Sequence, residues 1–272
     1  MLINLIFKMF QVSLKNQYTR RLSHFAEVIS ILVGLTVYYY ISAAFDNGLS
    51  KEANPFEGRY FDYVVFGEIF MMLPLYFLDA PYQKLKSSIM EGTFLVYIGL
   101  PIGLNKLILI FSSWNLVQTL KRVLLTLLFS ITIFGLNFEI ISLVKIVLLQ
   151  IVSIFVFLGL GLCLSCLLLF FGRGAGAIGY LNTFVAISAG SFFPLSVLPE
   201  WLASAFRAFS PFTLMLESSR LLNRGALTNK DFLRTIAFLA LWGIVFLIGR
   251  KLFALGIRYY RKNGSLKIIS QY

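Results

Sequence analysis

The stretch ISLVKIVLLQIVSIFVFLGLGLCLSCLLLFF, residues 141–171, decides the fold class. It is longer than the roughly 20 apolar residues that a helix needs to cross a hydrocarbon core about 30 Å thick. The rest of the chain shares its character, since 58% of the 272 residues are hydrophobic and 13% are charged, against about 25% charged residues in soluble domains. The sequence therefore predicts an all-α integral membrane protein.

Five further apolar runs lie on either side of this stretch and raise the predicted number of transmembrane helices to six. We interpret residues 104–138 as one long, tilted helix, although Lys121 and Arg122 divide it, because two separate pieces would each be too short to cross. Six crossings place both chain ends on one side. The predicted spans are residues 28–45, 61–78, 104–138, 141–171, 175–193 and 232–249.

The basic residues beside these spans predict the orientation. Lysine and arginine are enriched in cytoplasmic flanks, and here they lie mostly before the first span and after the second, fourth and sixth. Both termini are therefore expected in the cytoplasm. The predicted regions are an amphipathic interfacial helix over residues 1–22, a six-helix domain over 23–257 and a basic cytoplasmic tail over 258–272. For residues 1–22 the alternative is an amphipathic leader without a role.

Few residues of the chain suit catalysis or cofactor binding. His24 is the only histidine, so a histidine-based metal cluster cannot be assembled within one chain. Cys163 and Cys166 lie in an apolar helix and are interpreted as small packing residues. The GxGxxG match from Gly174 to Gly179 lacks the preceding strand of a dinucleotide site and instead predicts close helix contact. No GxxxxGK[ST] phosphate loop occurs, and the bases form no single stripe for nucleic acid.

Two stretches carry a resemblance to a known family. Residues 85–109, LKSSIMEGTFLVYIGLPIGLNKLIL, resemble the EGTLE-x-L-x-x-TP segment of the ABC-2 transporter permeases. Residues 190–227 are similar to the family's SG-x-x-FP-x-x-x-LP-x-W…P-x-T-x-x-x-E-x-x-R region. The matching residues are Glu91, Gly92, Thr93, Phe94 and Pro101 in the first stretch, and Gly190, Phe193, Pro194, Leu198, Pro199, Trp201, Pro211, Thr213, Glu217 and Arg220 in the second.

The resemblance implies the permease half of an ATP-binding-cassette exporter. Such a chain dimerises with a second copy or a paralogue and binds two ATPase subunits, which hold the ATP and Mg²⁺, so no cofactor is expected in the chain itself. A coupling helix within residues 82–103 is implied to lie in a groove of the ATPase, with Glu91, Gly92, Thr93, Phe94 and Pro101 as coupling residues. Glu91 and Thr93 suit a helix start, and Gly92 and Phe94 are expected at the contact.

The same resemblance implies export of an amphipathic substrate, such as a drug, a lipid or a lipid-linked glycan, across a bacterial cytoplasmic membrane by alternating access. Two alternative functions, each from a different class of membrane protein, remain open. One is a membrane enzyme acting on a lipid or polyprenyl substrate, which would present clustered Asp, His or Arg. The other is an ATP-independent carrier, which would show internal repeats.

Residues 194–230 are expected to form a re-entrant helical hairpin at the outer surface. Pro194 and Pro199 are predicted to end the fifth span, because proline lacks an N–H group and clashes with the preceding turn. The chain stays apolar around Trp201, and Pro211 starts a second short helix. This hairpin would close the outer end of the translocation path, or alternatively would only plug the bundle.

Three charged residues are candidates near that path. Glu217 and Arg220 are three residues apart on the second hairpin helix and could pair, which would lower the cost of holding charge near lipid. Glu68 lies in the second span. An intramembrane carboxylate faces either a partner or a wet cavity, or else it reaches the interface from near the end of its helix. Both interpretations of Glu68 stay open.

Overall fold

The computed structural model describes residues 21–48, 59–99, 103–113, 115–136, 138–139, 142–172 and 174–263. Within these ranges all regular secondary structure is helical, which confirms the predicted all-α class. Pro101 lies outside the described residues. So do the residues beyond 263 and all but the last two residues of the predicted interfacial helix.

Within the described ranges a 3₁₀ helix, Leu195–Val197, lies before α8. The α-helices are α1 (Arg21–Gly48), α2 (Tyr60–Met90), α3 (Phe94–Gly99), α4 (Leu104–Ser113), α5 (Leu116–Thr132), α6 (Leu143–Phe171), α7 (Ala175–Ser188), α8 (Glu200–Phe209), α9 (Pro211–Asn223), α10 (Asn229–Trp242) and α11 (Ile244–Asn263).

Four helical stretches of the described chain are long and apolar enough to cross a membrane. These stretches are His24–Ala44, Tyr60–Met90, Leu143–Phe171 and Asn229–Lys262, the last of which joins α10 and α11. The apolar helix α7 is shorter, with 14 residues. At 1.5 Å per residue a helix of 20 residues spans about 30 Å, so the long apolar helices indicate a membrane-embedded protein.

The third predicted span is not one continuous helix. It is divided into α4 and α5 around residue 114, whereas one helix was expected over residues 104–138. The side chain of Tyr76 on α2 bridges the break, because its hydroxyl donates to the Ser112 carbonyl (2.7 Å) and accepts from the Asn115 N–H (3.1 Å). Backbone groups freed by an interrupted helix need such partners inside a membrane. A tyrosine 36 positions earlier in the chain therefore makes the interruption possible.

Lys121, which divides the same predicted span, is paired inside the bundle. Its ammonium group donates to the carboxylate of Glu27 and lies 2.9 Å from Nδ1 of His24, both on α1. A paired charge is much less costly near lipid than an isolated one. His24, the only histidine of the chain, is thus part of the polar group that joins α1 to α5.

The fifth and sixth predicted spans end differently from expectation. Helix α7 ends at Ser188 and not at Phe193, before either proline. Gly190, with a φ of +66°, and Ser191 donate to the carbonyls of Ile187 and Ala186, both at 3.1 Å. This is the Schellman arrangement that closes a helix at a left-handed glycine. In the last span, α11 continues to Asn263 and so extends into the predicted basic tail.

Helix α6 lies at the centre of the bundle, packed along α2 and α11. Where it crosses α11 the two backbones are close, since a Cβ atom at Gly249 would collide with the Gly159 carbonyl. Small residues permit such approaches between membrane helices. Close contact was also predicted for the group from Gly174 to Gly179, and the two ends of this group differ: a Cβ at Gly174 would lie 2.9 Å from the Tyr82 ring of α2, whereas a Cβ at Gly179 would meet nothing within 4 Å of the described chain. The tightest crossing is therefore in the middle of the bundle.

Candidate functional site

The segment between α2 and α3 is a tight turn that leads one helix into the next. The N–H groups of Glu91 and Gly92 donate to carbonyls of the last turn of α2, at 2.8 and 3.1 Å. The Thr93 carbonyl accepts the first hydrogen bonds of α3, and the Thr93 hydroxyl donates to Ser88 (3.3 Å). The expected helix start is therefore at Thr93, whereas Glu91 and Gly92 belong to the end of α2. All three residues are exposed.

Phe94 fixes α3 to the rest of the bundle. Its side chain is only 1% exposed, and its ring centroid lies 5.0 Å from that of Tyr260 on α11 and 6.4 Å from that of Phe111 on α4. Arg261 of α11 also donates to the carbonyl of Ile98 at 3.0 Å. Phe94 is thus buried within the chain and does not face a partner as the sequence suggested. Phe94 is the first residue of α3, and its ring packs against Phe111 of α4 and Tyr260 of α11.

The opposite side of the same segment exposes apolar side chains. Met90, Leu95 and Val96 are exposed by 65%, 59% and 62% of their surface. We call these three residues the α3 surface. Residues 95 and 96 follow the buried Phe94 directly, and in a helix consecutive side chains are about 100° apart. Sequence analysis missed this surface because it assigned Phe94, the first apolar residue, to the outside.

At the other end of the bundle the chain turns back through α8 and α9. Pro194 precedes the 3₁₀ helix, Pro199 precedes α8 and Pro211 is the first residue of α9. Proline has no N–H group, and at the start of a helix the N–H group has no partner within the helix, so proline is tolerated at each of these positions. The Trp201 side chain on α8 is 72% exposed. The prolines therefore shape the turn, but the glycine at 190, and not proline, ends α7.

Arg220 on α9 is buried and holds three elements together. Its guanidinium donates to the carbonyls of Gly190 (2.9 Å), Tyr63 (3.1 Å) and Ser191 (3.2 Å). It also lies 3.6 Å from the centre of the Tyr63 ring, in cation–π geometry. The Tyr63 hydroxyl donates to the same Gly190 carbonyl at 2.8 Å. Arg220 thereby joins α9 to α2 and to the turn after α7. We call this group of contacts the Arg220 cluster.

Gly67 makes room for the Arg220 cluster on α2. A Cβ atom at this position would collide with the Ser191 carbonyl and lie 2.8 Å from the Arg220 guanidinium. The sequence-based predictions named neither Gly67 nor Tyr63. The pattern that could have indicated a shared site is their spacing of four residues, which places them on one face of α2. Burial lowers the pKa of Arg220 to about 10, so the guanidinium keeps its charge at neutral pH.

Glu217 pairs with a different arginine from the one expected. Its carboxylate lies 3.7 Å from Arg207 on α8, while the Arg220 guanidinium is turned toward the three carbonyls. Burial raises the pKa of Glu217, and the charges of Arg207 and Arg220 oppose that rise. The expected pair within α9 is thus replaced by one between α8 and α9, because the Arg220 guanidinium is bonded to three buried main-chain carbonyls.

Glu68 has polar partners inside the bundle. The carboxylate is hydrogen-bonded to the Tyr38 phenol of α1, and the charge of Arg122 on α5 also acts on it. It is partly buried one helical turn after the buried Val64 and Val65. The structure therefore favours a partnered carboxylate over one that only reaches the interface.

No model of a known protein family matches the chain, and no curated protein is similar to it at a significant level.

Proposed function

We propose that the chain is the membrane permease subunit of an ATP-driven exporter in a bacterial cytoplasmic membrane. In this proposal two copies, or one copy and a paralogue, form the transport path, and two ATPase subunits bind ATP and Mg²⁺ on the cytoplasmic side. The chain crosses the membrane six times through α1, α2, the α4–α5 pair, α6, α7 and the α10–α11 pair, with both termini in the cytoplasm. It moves an amphipathic substrate by alternating access.

The observation that carries the proposal is the arrangement around α3. One side of this helix is fixed to α4 and α11 through Phe94 and Arg261, and the other exposes the apolar α3 surface. Exposed apolar side chains grouped at the end of a long helix and on the short helix that follows it are typical of a protein contact. Because packed elements move as rigid bodies, a partner bound there would move the ends of α2, α4 and α11 together. This is what a coupling helix must do.

The Arg220 cluster supports the second part of the proposal, the outer gate. In this proposal α8 and α9 form a re-entrant hairpin that closes the outer end of the path. Arg220 connects that hairpin to α2, whose other end leads into α3. A displacement at α3 can therefore reach the hairpin along a single helix. Glu217 and Arg207 hold α8 against α9, so that both move as one unit.

Co-purification tests the proposal most directly. The tagged chain is purified from its native membrane in a mild detergent, and associated proteins are identified by mass spectrometry. We expect a stoichiometric soluble partner that carries a phosphate-binding Walker A loop. Val96→Asp should remove this partner, because a carboxylate would be buried unpaired in an apolar contact. Lys262→Asp, at an exposed position on α11, should leave the partner bound.

The outcomes separate the candidate functions. A chain that purifies without an ATPase, whether active or not, contradicts the exporter and favours a membrane enzyme or an ATP-independent carrier. A partner that survives Val96→Asp contradicts the assignment of the α3 surface. The two variants must elute from size exclusion like the unmodified chain for the comparison to count.

A further inference from the structure

A cavity of about 810 Å³ lies between α1, α2 and α5 at the end of the bundle that contains α3. Ligand pockets typically have volumes of about 300 to 1,000 Å³. Eleven of its thirteen lining residues carry polar side chains, and the other two are Ala26 and Ala80. These polar side chains can hydrogen-bond water or a polar group that enters the space. The residues of the α3 surface and of the Arg220 cluster are not among those that line it.

The acidic groups of the cavity already have partners. Glu27 is bonded to Lys121, and Asp79 accepts two hydrogen bonds from the Asn182 amide on α7, at 3.0 and 3.2 Å. The guanidinium of Arg122 is different. Among the described residues this guanidinium makes no hydrogen bond and no ion pair within 4 Å. The carboxylate of Glu68 acts on it electrostatically, and that carboxylate is also bonded to Tyr38. A cation is thus available to a ligand in this cavity.

The break between α4 and α5 adds to the positive character of the same wall. Helix α5 begins at Leu116. The cavity is lined by Asn115, which precedes the helix, and by Gln118 and Thr119 near its start. The first N–H groups of a helix have no partner within it and carry partial positive charge, which favours an anion. Lys84, on the facing helix α2, also lines the space. Together these groups suit an oxyanion such as a phosphate.

The surroundings of the cavity suit a ligand with acyl chains. Ala26 and Ser30 of α1 line it, while their neighbours Phe25 and Ile29 are exposed by 67% and 43% on the outer side of the helix. On α5, Leu124 is 65% exposed two residues after Arg122. In a membrane these side chains contact lipid tails. A molecule could therefore place its headgroup in the cavity and leave its chains in the surrounding leaflet.

We propose that this cavity binds the phosphodiester headgroup of a membrane lipid, with Arg122 at the phosphate and the acyl chains along α1 and α5. The proposed function places the cavity in the cytoplasmic leaflet, where an exporter takes up amphipathic molecules, and to that extent the inference rests on it. Binding itself requires no ATPase. A failure of the lipid site and a failure of the exporter are therefore separate results.

Lipid binding to the purified full-length chain, measured by native mass spectrometry, tests the site. The probes are phosphatidylglycerol and monogalactosyl diacylglycerol with identical acyl chains; both headgroups end in hydroxyl groups, and of the two only phosphatidylglycerol carries a phosphodiester and its negative charge. We expect selective binding of phosphatidylglycerol. Arg122→Gln should weaken it about tenfold or more, as loss of a charge-assisted hydrogen bond does, and should leave the galactolipid unchanged. Arg258→Gln, at an exposed position on α11, is the matched control.

A second variant tests the position of the site. Gln118→Trp would fill the cavity without changing its charge and should also weaken phosphatidylglycerol binding. If Arg122→Gln weakens binding and Gln118→Trp does not, the phosphate is held outside the cavity and the proposal is wrong. Equal effects of Arg122→Gln and Arg258→Gln, or equal binding of both lipids by the unmodified chain, also overturn it. Full competition by sn-glycerol 3-phosphate would show a site for a soluble anion instead.

Discussion

Arg220 is the residue whose surroundings differ most from what its position in the sequence suggests. A buried cation usually needs an anionic partner, because burial without one is costly. Here three main-chain carbonyls and an aromatic ring take that role. The planar guanidinium suits this arrangement, since it can donate in several directions and stack on a ring at the same time.

This geometry predicts that lysine cannot replace Arg220. An ammonium group cannot reach all three carbonyls and stack on Tyr63, so Arg220→Lys should lower the free energy of unfolding by about 2 kcal/mol, the cost of one or two buried acceptors left without a donor. Thermal unfolding in detergent measures the change. Arg207→Lys, at a side chain that is 55% exposed, should have little effect. Equal shifts for both variants would contradict the special role of the Arg220 cluster.

At individual residues, sequence analysis identified important positions more reliably than their contacts. Arg220, Glu217 and Phe94 were all selected, yet the pair between Arg220 and Glu217 and the exposure of Phe94 were wrong. Spacing along one helix indicates which side chains can meet within that helix. It contains no information about carbonyls 29 or 157 positions away, which are the acceptors that Arg220 reaches in Ser191 and Tyr63.

At the level of elements, the helices pack by close backbone contact at some crossings and leave open space at others. Gly249 lies at a close contact, and Gly179 lies beside open space. A Cβ at Gly249 on α11 would collide with the Gly159 carbonyl of α6, whereas a Cβ at Gly179 on α7 would meet nothing within 4 Å of the described chain. Both residues lie within helices, so their intrinsic preferences are the same.

The same substitution at these two glycines should therefore have opposite effects. Gly249→Ala should destabilise the bundle, because α6 and α11 must separate to admit the methyl group. Gly179→Ala should be neutral or stabilising by up to about 1 kcal/mol, since alanine is the better helix former. The thermal midpoints of the two purified variants measure this difference. A larger loss at 179 than at 249 would show that α7 has a tight contact in the membrane that the isolated chain lacks.

Helix positions were predictable from the sequence, and helix ends were less so. Apolar runs located the four long spans, because a segment in lipid must be apolar over most of its length. The break between α4 and α5 was missed, since it depends on the Tyr76 hydroxyl of another helix. The end of α7 was misplaced because proline was given more weight than a glycine at the left-handed position.

At the scale of the whole molecule, the proposed orientation of the chain in the membrane can be tested by labelling introduced cysteines. The proposed six crossings place α8 outside the cell and the end of α11 inside. In a chain with Cys163 and Cys166 changed to serine, Ser204→Cys should react with a membrane-impermeant maleimide on intact cells. Lys262→Cys should react only after the cells are permeabilised. Reaction of both sites, or of neither, before permeabilisation would contradict the six-span topology.

The Arg220 cluster also has a consequence for the evolution of the chain. A hydrogen bond to a main-chain carbonyl involves no partner side chain whose identity must change when the donor changes. Residues 190 and 191 supply only their carbonyls to Arg220, so their contact with it would leave little trace as correlated substitution among related sequences. What such sequences should share instead is the arginine together with an aromatic residue at the position of Tyr63 and a small residue at the position of Gly67, and these would be retained or lost together.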